Sequence, residues 1–285
     1  MFGTTTNTSD VVVVRDDNWG SGSAPFADLV EPASPKGDGR PGVRVVRRAS
    51  IPSLGRMLGT QRIGSSLSIA VDPRDSSTVY LAWAQGASPA DYTIHLRRST
   101  DRGVTWNPGA ECVSECEAAR EECENEHGSG APRCADGFRR CTDRCASPQP
   151  LRSISGATNP ALAVAADGTV GFVYQRLTGT APNQTWETHL EISADGFATA
   201  PTDIVLARTA DVAGPVCGAG PLGDYLHLMA VGNTFYGVFS ADNQPDQANF
   251  PQGVTYQRNV DFANRTLLDN DNRAVVNRSS DPYFF

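Results

Sequence analysis

Ser99-Thr100-Asp101-Arg102-Gly103-Val104-Thr105-Trp106 follows a strand-like run, Tyr92 to Arg98, and decides how the rest of the chain is read. Each residue type has a mechanical task in a tight turn between two strands. The Asp carboxylate accepts backbone N–H bonds, and Gly supplies a backbone conformation with positive φ. The Thr hydroxyl closes the loop, and the Trp ring tucks between neighbouring sheets.

Outward from this turn the chain repeats itself. Ser68-Ile69-Ala70-Val71-Asp72-Pro73 leads through a turn to Val79-Tyr80-Leu81-Ala82-Trp83. Ala161 to Val164 leads through Asp167-Gly168 to Val170 to Tyr174, and Leu228 to Val231 leads through Gly232-Asn233 to Phe235 to Phe239. Each unit is a small or β-branched strand, a hairpin turn and an aromatic-rich strand. The third strand recurs as well: His95-Leu96-x-x-Ser99-x-Asp101 matches His189-Leu190-x-x-Ser193-x-Asp195. The second turn, Ser193-Ala194-Asp195-Gly196-Phe197, reads as a degraded copy without the Thr-Trp ending, and Asp17-Asn18-Trp19-Gly20 as a weaker one. Val11 to Val14 and Val43 to Arg48, joined by a polar loop, read as half a repeat. Fourth strands are expected at Leu151 to Ser155, Thr202 to Ala207 and Arg273 to Asn277. Discounting one insertion, the period is roughly 60 residues, which suits about four four-stranded blades.

The eight-residue turn resembles the Asp-box, or bacterial neuraminidase repeat, of sialidase-like β-propellers. The resemblance implies an all-β propeller of four-stranded antiparallel blades. About four are visible, either as a small propeller or as part of a six-bladed one completed by other sequence or a partner chain. In that family Ser99, Asp101, Gly103, Thr105 and Trp106, with Ser193, Asp195 and Gly196, would be structural and remote from the catalytic centre. Asp281-Pro282-Tyr283-Phe284-Phe285 is aromatic enough to pack at the ring's closure.

Between the first box and the next repeat sits Cys112-x3-Cys116-x6-Cys123, a Gly/Ser/Pro break, then Cys134-x6-Cys141-x3-Cys145. The halves are mirror images. On a helix each set of three cysteines falls within about 40°. Of the connectivities open to six cysteines, antiparallel helices satisfy both faces with Cys112–Cys145, Cys116–Cys141 and Cys123–Cys134. Glutamates crowd the first arm and arginines the second. The spacing resembles twin Cys-x3-Cys helical hairpins. Metal binding is the competing reading, and six cysteines in a mirror suit a four-ligand zinc site poorly. The domains are therefore read as propeller at 1–110 and 147–285, with the hairpin at 111–146. Disulfides place the chain in an oxidising compartment, extracellular or periplasmic. The N-terminus lacks a secretory signal, so the chain is read as a mature or excised portion of something longer. Cys217 is left over.

The chain has 285 residues and a formal net charge of −8, which argues against nucleic acid as a partner. No apolar run approaches the ~20 residues of a membrane span. In a propeller the loops entering the first strands rim one mouth of the channel, where ligands bind. The entries Gln61-Arg62-Ile63-Gly64, Ala157-Thr158-Asn159-Pro160 and Gly223-Asp224-Tyr225-Leu226-His227 are polar. They nominate Asp224 and Tyr225 as catalytic candidates and Arg62, Asn159 and His227 as ligand-binding ones. A purely structural role for Asp224 and Tyr225, bonding neighbouring blade starts, is the favoured reading against that nomination, because buried polar groups need partners with or without a ligand.

A sialidase needs an arginine triad, an acid/base and a Glu-activated Tyr nucleophile. Here the Phe/Tyr-Arg-Ile-Pro segment of such enzymes survives only as Gln61-Arg62-Ile63-Gly64. Glutamate is scarce outside the hairpin: Glu31, Glu187 and Glu191 are the others. The expectation is a non-catalytic module that binds a glycan or extracellular protein, without metal or cofactor. The alternatives are an exo-sialidase using Asp224 with Tyr225 or Tyr256, and a structural subunit of a larger assembly.

Overall fold

The computed structural model describes residues 5–31, 39–53, 55–58, 61–63, 66–87, 92–106, 111–145, 151–211, 222, 226–251, 254–256, 259–277 and 279–285. β1 (Thr5–Val13) pairs with β2 (Val43–Ser53), and β3 (Gly55–Leu58) with β4 (Gln61–Ile63), each as an antiparallel pair. β5 (Leu67–Val71), β6 (Val79–Gln85) and β7 (Thr93–Ser99) form a meander. After the helices α1 (Glu111–His127) and α2 (Pro132–Cys145), β8 (Arg152–Ser155) joins that meander as its fourth strand. β9 (Ala157–Val164), β10 (Val170–Thr178), β11 (Thr185–Ser193) and β12 (Thr202–Ala210) make a second four-stranded meander. β13 (Leu226–Val231) and β14 (Thr234–Asp242) open the third four-stranded sheet. It is completed by β15 (Thr255–Tyr256) and β18 (Ser280–Phe284), while β16 (Asn259–Asp261) and β17 (Thr266–Leu268) stand apart as a hairpin.

The strands expected at Leu151 to Ser155 and Thr202 to Ala207 are present as β8 and β12. The one expected at Arg273 to Asn277 is not: that stretch makes only an isolated bridge, Leu268 with Val275. Its Asp/Asn-rich neighbourhood turns instead, with Asp269 Oδ1 accepting the Arg273 N–H at 2.8 Å. The C-terminal strand takes the vacant place, running between β14 and β15 with Tyr283 opposite Phe239 and Tyr256. Asp281 to Phe284 therefore belong inside the last sheet.

The sheets stack face to face in chain order, and their first strands lie side by side, β5 against β9 and β9 against β13. Between the first two four-stranded sheets, Tyr80, Ala82, Ile94 and Leu96 meet Leu162, Phe172, Tyr174 and Trp186. Between the second and third, Ala163, Val173, Leu190 and Leu206 meet Leu228, Phe239 and Tyr283. On the far side of the first, Leu81 and Trp83 pack on Val11, Val13, Val45 and Val46 of β1 and β2. β6 and β10 are consequently buried on both faces, which is why both read as continuous apolar runs. Each large side chain so buried contributes about 1.5–3 kcal/mol.

The two Ser-x-Asp turns have the same geometry. Ser99 Oγ donates to Asp101 Oδ1 at 2.7 Å and accepts the Gly103 N–H at 2.8 Å. Asp101 also accepts the Thr105 N–H at 2.8 Å and the Thr105 hydroxyl at 2.6 Å. In the second turn Ser193 Oγ donates to Asp195 and accepts the Phe197 N–H, while the Thr199 N–H and hydroxyl bond Asp195. Thr199 thus stands where Thr105 does, so only the Trp of the ending is missing. Both turns place two successive residues at positive φ: Arg102 and Gly103, then Gly196 and Phe197. Phe197 accepts this strained backbone because its ring is buried edge-on against Phe172. Each turn leans on the sheet before it. A Cβ at Gly103 would meet Leu29, and one at Gly196 would meet the Tyr80 hydroxyl.

The cysteine segment is a helical hairpin, with Cys116–Cys141 and Cys123–Cys134 bridged in the nested order. The side chains of Cys112 and Cys145, and Cys217 altogether, lie outside the described residues. Arg120 lies over the Phe138 ring at 4.8 Å, adding a cation–π contact between the arms.

Burial by itself would raise the Asp101 pKa, but hydrogen bonds from Thr105, Ser99 and Val104 outweigh it and hold the carboxyl below its ordinary value. A carboxylate depressed on folding contributes stability in full above the unfolded value, about pH 4, and loses it as pH falls through the folded value. Asp101→Asn is therefore expected to cost about 1 kcal/mol in urea unfolding at pH 7. The difference from wild type should shrink as pH drops below about 4.

Candidate functional site

The first-strand entries are where sequence places a site, and three of its five residues cannot be located there. Asp224 and Tyr225 lie outside the described residues, as does the side chain of Arg62, whose backbone belongs to β4. Asn159 and His227 are described, and the structure separates them. The neighbours of His227 in β13, Leu226 and Leu228, pack into the core shared with the second sheet. Strand alternation then turns the exposed His227 to the opposite face, away from Asn159.

Asn159 sits at the head of a polar chain that ties three sheets together. Its backbone has φ +54°. The Ser66 hydroxyl, at the entry to β5, donates to Asn159 Oδ1 at 3.4 Å. Asn159 Nδ2 donates to Gln175 Oε1 at 2.9 Å, and Gln175 Nε2 donates to the Ser240 carbonyl of β14 at 3.0 Å. Gln175 is almost completely buried, so these bonds satisfy an amide that would otherwise be costly inside a core. A second tie runs alongside, from the Leu162 N–H to Ser68 Oγ at 2.9 Å. The first strands of successive sheets lie side by side here, and Ser66, Asn159, Gln175 and Ser240 are bonded in one chain.

The other concentration of chemistry lies further out, between the first and second four-stranded sheets. Arg152 of β8 grips Glu191 of β11 with two nitrogens, Nε to Oε2 at 2.8 Å and Nη2 to Oε1. The Tyr174 hydroxyl donates to Glu191 Oε1 at 3.0 Å. Glu191 is 1% exposed and Tyr174 is 2%, so the carboxylate is enclosed by packing while its arginine partner reaches solvent. His189 stacks on Tyr174 with ring centroids 5.0 Å apart, its Nδ1 2.9 Å from Asp203 and its Nε2 3.4 Å from Glu187. Glu187 in turn accepts from Arg208 Nε at 3.1 Å.

A Tyr beside a Glu is the composition of a sialidase nucleophile, but this pair runs the opposite way. Burial, reinforced by the Glu191 and Asp203 charges, pushes the Tyr174 phenol well above its ordinary pKa. The hydroxyl is a hydrogen-bond donor locked in a core, not an activated nucleophile. The cluster's chemistry is adhesion of one sheet to the next. His95 has the parallel role in the sheet before, stacked on Trp83 at 5.2 Å. This matches the structural pairing that equivalent repeat positions suggest for the two histidines.

Sequence reasoning missed Arg152, Tyr174 and Gln175 as members of these networks. The available signal was repeat alignment: Trp83 and Tyr174 oppose His95 and His189 in identical register. Two aspartates of the Asp/Asn-rich stretches serve local turns. Asp246 Oδ1 accepts the Ala248 N–H, and Asp269 the Arg273 N–H.

Comparison with protein-family models, with curated proteins and with solved structures finds no match to this chain. Its reading rests on its own residues.

Because Glu191 is sealed while Arg152 reaches solvent, removing the arginine strands a buried charge. Arg152→Met is expected to cost about 3–5 kcal/mol by urea denaturation. Arg152→Met with Glu191→Met should recover most of that loss. Equal costs for the single and double variants would contradict the assignment.

Proposed function

We propose that this chain is a non-catalytic, sialidase-like Asp-box β-propeller. It works outside the cytoplasm as a binding or scaffold module for a glycan or an extracellular protein. The observation that carries the reading is the repeat of one local geometry. Two Ser-x-Asp turns share their hydrogen bonds and their paired positive-φ residues, and each leans on the preceding sheet. Successive sheets laying their first strands side by side support radial blades about an axis. The bridges Cys116–Cys141 and Cys123–Cys134 support an oxidising compartment. Against turnover stand the spent polar groups at Asn159 and the elevated phenol of Tyr174.

The hydrolase alternative would place Asp224 as acid/base and Tyr225 or Tyr256 as nucleophile. Incubation with a fluorogenic sialoside is the direct test, and no release above the buffer rate is expected. Release that disappears in Asp224→Asn would overturn the non-catalytic reading.

A structural-subunit reading is favoured by one specific feature, two rows of exposed apolar side chains. On the outer side of the last sheet Met229, Val231, Tyr236 and Phe284 are exposed, and on β5 Leu67, Ile69 and Val71 are. Exposed apolar faces of this kind mark association surfaces. Under that reading a sizing column gives a discrete oligomer that Val231→Glu with Ile69→Glu reduces to monomer. A wild-type monomer at all concentrations would remove it.

A further inference from the structure

The loop between β1 and β2 carries an expenditure that folding does not explain. Trp19 is fully exposed, the only tryptophan so placed: Trp83 and Trp186 are buried and Trp106 is half-buried. An indole left wholly in water forgoes the stabilisation that burying it would bring. Its backbone is strained too, at φ +57°, a region costly for a bulky side chain. Phe26, in the same loop, repeats both features, being 53% exposed at φ +59°.

The strain is deliberately held. Asp16 accepts the Asn18 N–H at 2.6 Å with one oxygen and the Gly20 N–H at 2.7 Å with the other, gripping the turn on both sides of Trp19. This is not the Ser-x-Asp turn expected for Asp17 to Gly20: the gripping carboxylate is Asp16, which accepts the N–H four residues on as the box aspartates do but takes the N–H two residues on as well, and the Trp19 ring stands in water. The turn is then fastened to the rest of the protein. The Asp17 N–H bonds Asp28 at 2.6 Å, and the Asp17 carboxylate pairs with Arg102 at 2.6 Å and Arg15 at 3.1 Å. Arg15 Nη1 also donates to the Arg102 carbonyl at 2.8 Å, tying the loop onto the first Asp-box.

We propose that Trp19 is a stacking platform for a pyranose ring of an uncharged glycan. The ring face is electron-rich, and the C–H-bearing face of a pyranose is its complement in shape and charge. A platform already fixed by Asp16 loses little freedom on binding. The charges of the mount explain why the ligand is neutral. Asp17 pairs with Arg15 and Arg102 while Asp16 and Asp28 accept backbone N–H groups of the loop, so three carboxylates and two guanidiniums nearly cancel and each carboxylate is engaged. A polyanion would also be repelled by the chain's net charge of −8. The inference deepens the glycan half of the proposed function and moves the site from the channel mouth to this loop.

The test uses the whole chain, with chitohexaose and cellohexaose as probes and acrylamide quenching of tryptophan emission as readout. Quenching should be dominated by Trp19, and a bound hexasaccharide should shield it. Trp19→Ala should weaken binding about tenfold or more, Trp19→Phe should retain part of it, and neither should lower Tm, since the indole packs on nothing. Several results would overturn the inference: no shielding by either sugar at millimolar concentration, unchanged affinity in Trp19→Ala, or shielding by a lysine hexapeptide instead. Binding lost in Asn159→Ala but intact in Trp19→Ala would also overturn it, while leaving the proposed module standing with its site at the first-strand entries.

Discussion

The interior sheets of this chain have no polar face. β6 and β10 are buried on both sides, so neither four-stranded sheet that contains them is stable beside water. Each must be sandwiched, and the sandwiching sheet inherits the same demand on its own far face. That requirement generates the stack from β1–β2 through the three four-stranded sheets. It also explains why the stack ends badly, with Met229, Val231 and Tyr236 in water. Everything polar in the interior is subordinate to it. The Ser-x-Asp turns lean each meander against its predecessor, and the Ser66–Asn159–Gln175–Ser240 chain ties the three four-stranded sheets together.

What was legible in the sequence follows from this. The meanders at 67–99 and 157–210 could be read because strands, turns and third-strand signatures repeat in local order. The helical hairpin could be read because cysteine spacing is a geometric statement about a helix face. The last sheet could not. Its third strand is contributed by the C-terminus, across an intervening hairpin, and such an order depends on long-range pairing that no local pattern encodes. Phe197 was obscure for another reason: positive φ is expected of glycine, and here the edge-on packing of the ring against Phe172 holds a phenylalanine there.

The site residues divide in the same way. Asn159 was identified from polarity at a strand entry and does lie where sheets converge, although as a tie between them. His227 was grouped with it as part of another polar first-strand entry, and the alternation of β13 sends it to the other face. The Arg152–Glu191–Tyr174 cluster joins residues from two meanders, so no single repeat displays it. A residue's role between sheets is a property of the pair of sheets.

The equivalent positions Arg97 and Glu191 take that point further. They occupy the same place in their third strands and both are buried, yet they carry opposite charge. Arg97 lies 5.3 Å from the centre of the Trp83 ring and donates to the Val45 carbonyl of β2. Glu191 instead receives Arg152 and the Tyr174 hydroxyl. Charge at this position is tolerated in either sign because each gap between sheets is a separate compartment with its own partners. The aromatic beneath changes with it, Trp under the guanidinium and Tyr beside the carboxylate, since a ring face attracts a cation and a phenol can donate to an anion. A fold built this way keeps one turn geometry in its repeats while each junction between sheets is closed by its own residues.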